Sequence, residues 1–114
     1  MSIINSGKHG EYKERKLINR NVVELLSRSE KIEVVHIILE PGKTLGKAHK
    51  HPGEEFKYVL EGTVEFMIGD TKKIVGAGGW LHHDCSIPHS VANKTSKKAS
   101  YITISVPPGC ISVK

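Results

Sequence analysis

Glycine and proline divide the middle of this chain into segments that suit strands better than helices. Pro41-Gly42, Pro52-Gly53, Gly62, Gly69-Asp70, the glycines at 76, 78 and 79, and Pro88 follow one another closely, and Pro107-Pro108-Gly109 closes the last apolar run. Proline removes a backbone donor and glycine weakens a helix interior by about 1 kcal/mol, so no long helix survives such punctuation. The segments between breakers are β-branched or alternating. Residues 32–39 read I-E-V-V-H-I-I-L before a Glu-Pro-Gly stop. Residues 63–68 place Val64, Phe66 and Ile68 on one face, and residues 100–106 set Ile102, Ile104 and Val106 against Thr103 and Ser105. Alternation of this kind marks half-buried antiparallel strands. Further strands are expected over 54–60, 73–75, 80–83 and 89–92. Residues 21–29 fit a three-four helical spacing as well as a strand. With eight or more short strands the fold class is all-β, a barrel or double-sheet roll with a mouth and an interior.

The chemistry concentrates at residues 48–62, A-H-K-H-P-G-E-E-F-K-Y-V-L-E-G. His49 and His51 are two apart, so on an extended backbone both rings leave one face, with Cβ atoms about 7 Å apart. Pro52-Gly53 breaks the run, and the next strand returns Glu54 and Glu55 beside them. Adjacent on a strand, Glu54 and Glu55 are expected to face opposite sides. Lys57 shares the parity of Glu55 and offers a cation to an acidic substrate, with a snorkelling surface lysine as the alternative. His89 follows Pro88 at the head of another β-prone run. Three imidazoles and one carboxylate form a metal-ligand set; buried without such a purpose, they would be costly. The remaining histidines, His9, His36, His82 and His83, are read as surface or core residues, with at most one of the adjacent pair His82 and His83 able to line an interior. Cys85 is read as a packed small side chain.

These residues carry a resemblance to the cupin superfamily. Its first motif has H-x-H, three or four intervening residues, Glu, six intervening residues and Gly, and His49, His51, Glu55 and Gly62 stand at those places. Six residues separate Gly42 from His49 where the family usually has five, which suggests a one-residue bulge there. In the second motif Gly78, His89 and Asn93 keep the frame, while Asp84 and Ser86 replace its Pro and Gly. The wording H-P-G-E-E-F-x-Y-V-L-E-G also resembles the C-terminal cupin domains of helix-turn-helix regulators. The resemblance spans about residues 22–108 and makes residues 21–29 a strand. It implies a double-stranded β-helix, or jelly-roll barrel, with residues 1–20 as an N-terminal arm and 21–114 as one cupin domain. It implies one divalent first-row transition metal (Fe, Mn, Ni or Zn) on His49, His51, Glu55 and His89, and a structural hydrogen-bonding role for Asn93. Glu55 and Lys57 are the candidate catalytic residues. The implied function is a mononuclear metal-binding cupin acting on a small oxygen-rich or acidic metabolite, as a dioxygenase, isomerase or lyase. The alternative is a non-catalytic small-molecule sensor. A homodimer is expected, since cupins commonly pair through sheet edges or faces.

Composition narrows the partners. Seventeen Lys plus Arg against twelve Asp plus Glu leave a net charge of +5, but the cations are scattered in clusters that flank or join predicted strands rather than gathered on one helix. One Trp, three Tyr and two Phe give little for stacking on bases. Direct nucleic-acid binding is therefore not expected. No apolar run approaches the length of a membrane span or a signal sequence, which points to a cytoplasmic protein with reduced thiols. A Cys85–Cys110 disulfide is left open.

Overall fold

The computed structural model describes residues 4–109. Cys110, and with it the question of a Cys85–Cys110 pairing, lies outside the described residues. The chain is an all-β jelly roll of the double-stranded β-helix type, and no helix occurs among the described residues. The strands are β1 (Glu14–Ile18), β2 (Asn21–Arg28), β3 (Glu33–Leu39), β4 (Glu54–Glu61), β5 (Thr63–Ile68), β6 (Thr71–Gly76), β7 (Trp80–Asp84), β8 (His89–Ala92) and β9 (Ala99–Val106). They form a six-stranded sheet in the order β1-β2-β3-β9-β4-β7 and a three-stranded sheet in the order β6-β5-β8. All the pairings between strands are antiparallel.

Two local expectations are refined. Residues 14–18, read as part of the arm, pair with β2 along their whole length. The turn between them, Asn19-Arg20, holds both residues at positive φ. Residues 43–50 form no regular strand; they reach the small sheet only through isolated bridges, Thr44 to Ala92 and His49 to His89.

The inner face of the large sheet is layered by register. Val23, Ile37, Tyr101 and Val59 lie side by side across β2, β3, β9 and β4, and the next inward row is Leu25, Val35, Thr103, Lys57 and Leu81. One step nearer the mouth the row turns polar: Glu33, Ser105, Glu55 and His83. The apolar end, with Phe66 and Val64 contributed by β5, is the core. Phe66 and Tyr101 meet edge to face there, ring centroids 5.4 Å apart. Burying such side chains contributes roughly 1.5–3 kcal/mol each, so the apolar rows hold the barrel shut and free the polar row for chemistry. Arg28 compensates one buried carboxylate of that row, Glu33, through a 2.8 Å ion pair.

Gly62, at φ 73°, makes the β4–β5 turn tight enough that a Cβ there would lie 2.6 Å from the Lys98 carbonyl. Asn93 is fully buried and ties three segments: its amide donates to the carbonyls of Leu39 and Lys97, and its oxygen accepts from Thr95. That is the structural role expected of it.

Candidate metal centre

Three backbone devices assemble the site. His49 and His89 exchange both N–H···O bonds, at 3.0 and 2.9 Å. The Pro52-Gly53 turn is clamped to the end of β7, where Cys85 N–H donates to the Gly53 carbonyl at 2.8 Å and His51 N–H donates to the Cys85 carbonyl at 2.9 Å. Gly53 is required for that approach: at φ 101°, a Cβ would fall 2.3 Å from the Val106 carbonyl oxygen. Register on β4 then delivers Glu55 opposite Ser105 and His83.

The result is a cluster in which one donor atom from each of His51, Glu55, Cys85 and His89 lies within 4.8 Å of the others. Glu55, Cys85 and His89 are buried and His51 is partly so. His89 Nδ1 lies 2.8 Å from the Ile87 carbonyl and His51 Nδ1 lies 3.1 Å from the Pro52 carbonyl. A backbone acceptor at Nδ1 fixes the proton there and turns the Nε2 lone pair inward, as metal-ligating histidines require. Both Nε2 atoms are buried and without a hydrogen-bond partner, and His51 Nε2 stands 3.2 Å from Glu55 Oε2. A proton or a metal ion between such a nitrogen and the carboxylate would satisfy both. The donor set, two imidazoles, a carboxylate and a thiol, fits a first-row divalent ion.

Burial and neighbouring charge tune these groups. Desolvation outweighs the Ile87 hydrogen bond and the Glu55 charge, which act the other way, and pulls His89 down to about 4, so it is neutral at physiological pH. Burial raises Glu55, but the His83 and Lys57 side chains and the His51 charge outweigh it and hold the carboxyl well below the usual range. Burial, then the Glu55 charge, pushes the Cys85 thiol up to about 12 in the metal-free site.

The expected residues fall into place unequally. His51, Glu55 and His89 are in the tight cluster. His49 stands at its margin, exposed, with its ring centroid 4.5 Å from that of His89 and 5.6 Å from that of His51. Lys57 points inward with 3% of its side chain exposed and is ion-paired with Glu55 Oε1, while Ser105 Oγ donates to Oε2 at 3.1 Å. Glu54 faces outward and meets His82 at 2.6 Å.

Two site residues escaped the sequence reading. His83 is buried, its Nε2 3.0 Å from Lys57 Nζ and 3.6 Å from Glu55 Oε1. It also lines a cleft of about 500 Å³ at the rim with Gly53, Glu54, His82, Asp84 and Val106. Cys85 is the second. The signal available for both was parity, since residues 83 and 85 share one face of an extended strand.

Among curated proteins none matches the chain. Solved structures do. An RmlC-like cupin from Shewanella frigidimarina superposes with a TM-score of 0.77 at 18% identity, covering 97% of this chain and all of that one. The polyketide cyclase RemF from Streptomyces resistomycificus gives 0.77 at 14% identity, over 93% of this chain and 81% of that one. The cupin domain of an XRE family transcriptional regulator from Enterobacter cloacae gives 0.71 at 21% identity, over 78% and 98%. At these identities the likeness establishes the fold. Residues 35–105, more than half of the chain, match the family profile of the Cupin domain, and the protein belongs to the cupin family.

Proposed function

We propose that this protein is a mononuclear metal-binding cupin that acts on a small oxygen-rich or acidic metabolite. The observation that carries the reading is the pair of buried, unpartnered Nε2 atoms of His51 and His89 beside the Glu55 carboxylate. His51, Glu55 and His89 would hold the metal, with His49 beside them. When bound, a divalent first-row ion supplies Lewis acidity toward a substrate oxygen.

The chain's own residues prepare that chemistry. Ser105 and Lys57 bind separate oxygens of Glu55, fixing the carboxylate in one orientation. Its depressed pKa makes it a poor general base at neutral pH and a good anionic ligand. Lys57 offsets the carboxylate charge, so an anionic ligand meets less repulsion at the site. His83, in contact with Lys57 and open to the rim cleft, is placed to hold or pass a proton at Nε2. His83 is the residue that this cleft shares with the surroundings of Glu55.

The likeness to a regulator's cupin domain favours a second reading, a sensor that binds such a metabolite without turning it over. Metal content by elemental mass spectrometry on untagged protein, wild type and His51→Ala, tests the metal. Near one equivalent in the wild type and loss in the variant is expected; no metal after reconstitution with Fe, Mn, Ni and Zn would refute it. A thermal-shift screen of organic acids and sugars followed by turnover assays separates enzyme from sensor.

The outer face of the large sheet exposes Tyr58, Leu60, Trp80 and Val106 around a stacked Phe56–Trp80 pair at 5.7 Å. We assign this apolar face to a second copy of the chain, and light scattering showing a monomer would retire the homodimer. No helix among the described residues is long and apolar enough to cross a membrane. A cytoplasmic site of action without direct nucleic-acid contact completes the proposal.

A further inference from the structure

We infer that Cys85 Sγ is itself a metal ligand, so that the inner set is His51, Glu55, Cys85 and His89, with His49 outside it. The inference rests on the metal-binding reading above and goes further by naming the sulfur and the metal class it selects.

Three observations support it independently of the family pattern. First, Cys85 is fully buried, yet it stands apart from the apolar cluster that makes the core. A structural cysteine behaves as a small hydrophobe and belongs among such residues. This one is surrounded by two imidazoles and a carboxylate within 4.8 Å. Second, its position is built. The same pair of backbone hydrogen bonds that closes the Pro52-Gly53 turn joins Cys85 to Gly53 and to His51, so the thiol and the first imidazole are held by one clamp. Third, the buried His89 Nε2 lacks a hydrogen-bond partner and belongs to the same donor group as Sγ.

The consequence is chemical. Thiolate and carboxylate together cancel the charge of a divalent ion, while a set of three histidines and one carboxylate leaves it net positive. The thiol proton leaves as the metal binds, because only the thiolate is a ligand. A soft sulfur favours zinc over manganese and magnesium, and lowered net charge reduces the Lewis acidity of the bound ion. This centre is therefore expected to disfavour manganese among the candidate metals, and to accept zinc.

The test uses the full chain carrying Cys110→Ser, so that Cys85 is the only cysteine. Cobalt(II), a spectroscopic substitute for zinc, is titrated in without oxygen. A near-ultraviolet sulfur-to-cobalt charge-transfer band that saturates at one equivalent is expected. It should vanish in Cys85→Ser and persist in His49→Ala. In parallel, X-ray absorption on the zinc-loaded protein should show one sulfur scatterer at about 2.3 Å, a readout that needs no Cys85 variant should that variant fail to fold. One equivalent of metal bound with no charge-transfer band and a shell of nitrogen and oxygen alone overturns the inference while leaving the metal site intact. Failure to bind any metal overturns both. Retention of the band in Cys85→Ser also overturns it.

Discussion

Replacing Lys57 by Met would expose how much of the barrel's stability depends on its polar row. Lys57 and Glu55 have 3% and 2% of their side chains exposed, and they are paired. Removing one partner of a buried pair costs about 3–5 kcal/mol, because the remaining charge stays buried without compensation. Two features moderate that figure. Met retains most of the apolar stem, so little cavity forms, and Glu55 keeps the Ser105 hydroxyl at 3.1 Å. The expected loss is about 3 kcal/mol, which in a domain near this size lowers Tm by roughly 12–24 °C. The measurement is urea unfolding at pH 7 in chelator, on Lys57→Met, Glu55→Gln and the double variant. Each single change should destabilise, since Glu55→Gln leaves the ammonium buried. The double variant should recover about 2 kcal/mol relative to the sum of the singles. A loss below about 0.5 kcal/mol in Lys57→Met, or strict additivity of the two changes, would refute the buried-pair reasoning. The same variant should bind divalent metal more tightly than the wild type, because an ammonium no longer competes for Glu55.

Further outcomes follow from the same geometry. In the metal-free protein the folded pKa of His89, about 4, lies below its unfolded value of 6.5. The unfolded state therefore binds more protons between those values, and stability is lost as pH falls from 6.5 toward 4, by about 3 kcal/mol in total. Glu55, also depressed, adds a loss that begins below 4.5. Tm measured in chelator should be level above pH 7 and fall through this window, and His89→Gln should flatten the upper part. A flat wild-type profile from pH 7 to 4.5 would count against neutral burial of His89. Gly53→Ala, forced against the Val106 carbonyl from a positive φ, should cost about 2 kcal/mol or more and weaken metal binding, measured by unfolding and by metal titration. Trp80→Glu should shift the light-scattering mass toward the monomer with Tm changed by only a few degrees, since Trp80 is 62% exposed in the single chain.

Local chemistry made much of this protein legible in its sequence. Glycine and proline positions bounded the strands, because backbone restrictions at Pro52-Gly53, Gly62 and Gly69 hold wherever the chain goes. Period-two alternation gave Glu55 and Lys57 one face and Glu54 the other, the H-x-H and Gly-to-Asn spacings carried the cupin resemblance, and that resemblance marked the Glu55 face as the inward one. Residues 14–18 were not legible as a strand. They carry one exposed leucine and one half-buried isoleucine, and it is pairing with β2 that orders them.

The composition of the inner cluster was decided only by the tertiary structure. Spacing placed His49 and His51 as equals, since two residues apart on a strand are equivalent. In the structure that stretch is no regular strand: His49 pairs with His89, while His51 is tied to the Cys85 carbonyl. His83 and Cys85 share their parity with many residues that do nothing. What singles them out is the β4–β7 register that sets His83 opposite Glu55 and the turn that brings Cys85 to His51. Such pairings join residues about thirty positions apart in the chain. Their energetics belong to hydrogen bonds and packing across strands, which no local pattern in either segment encodes.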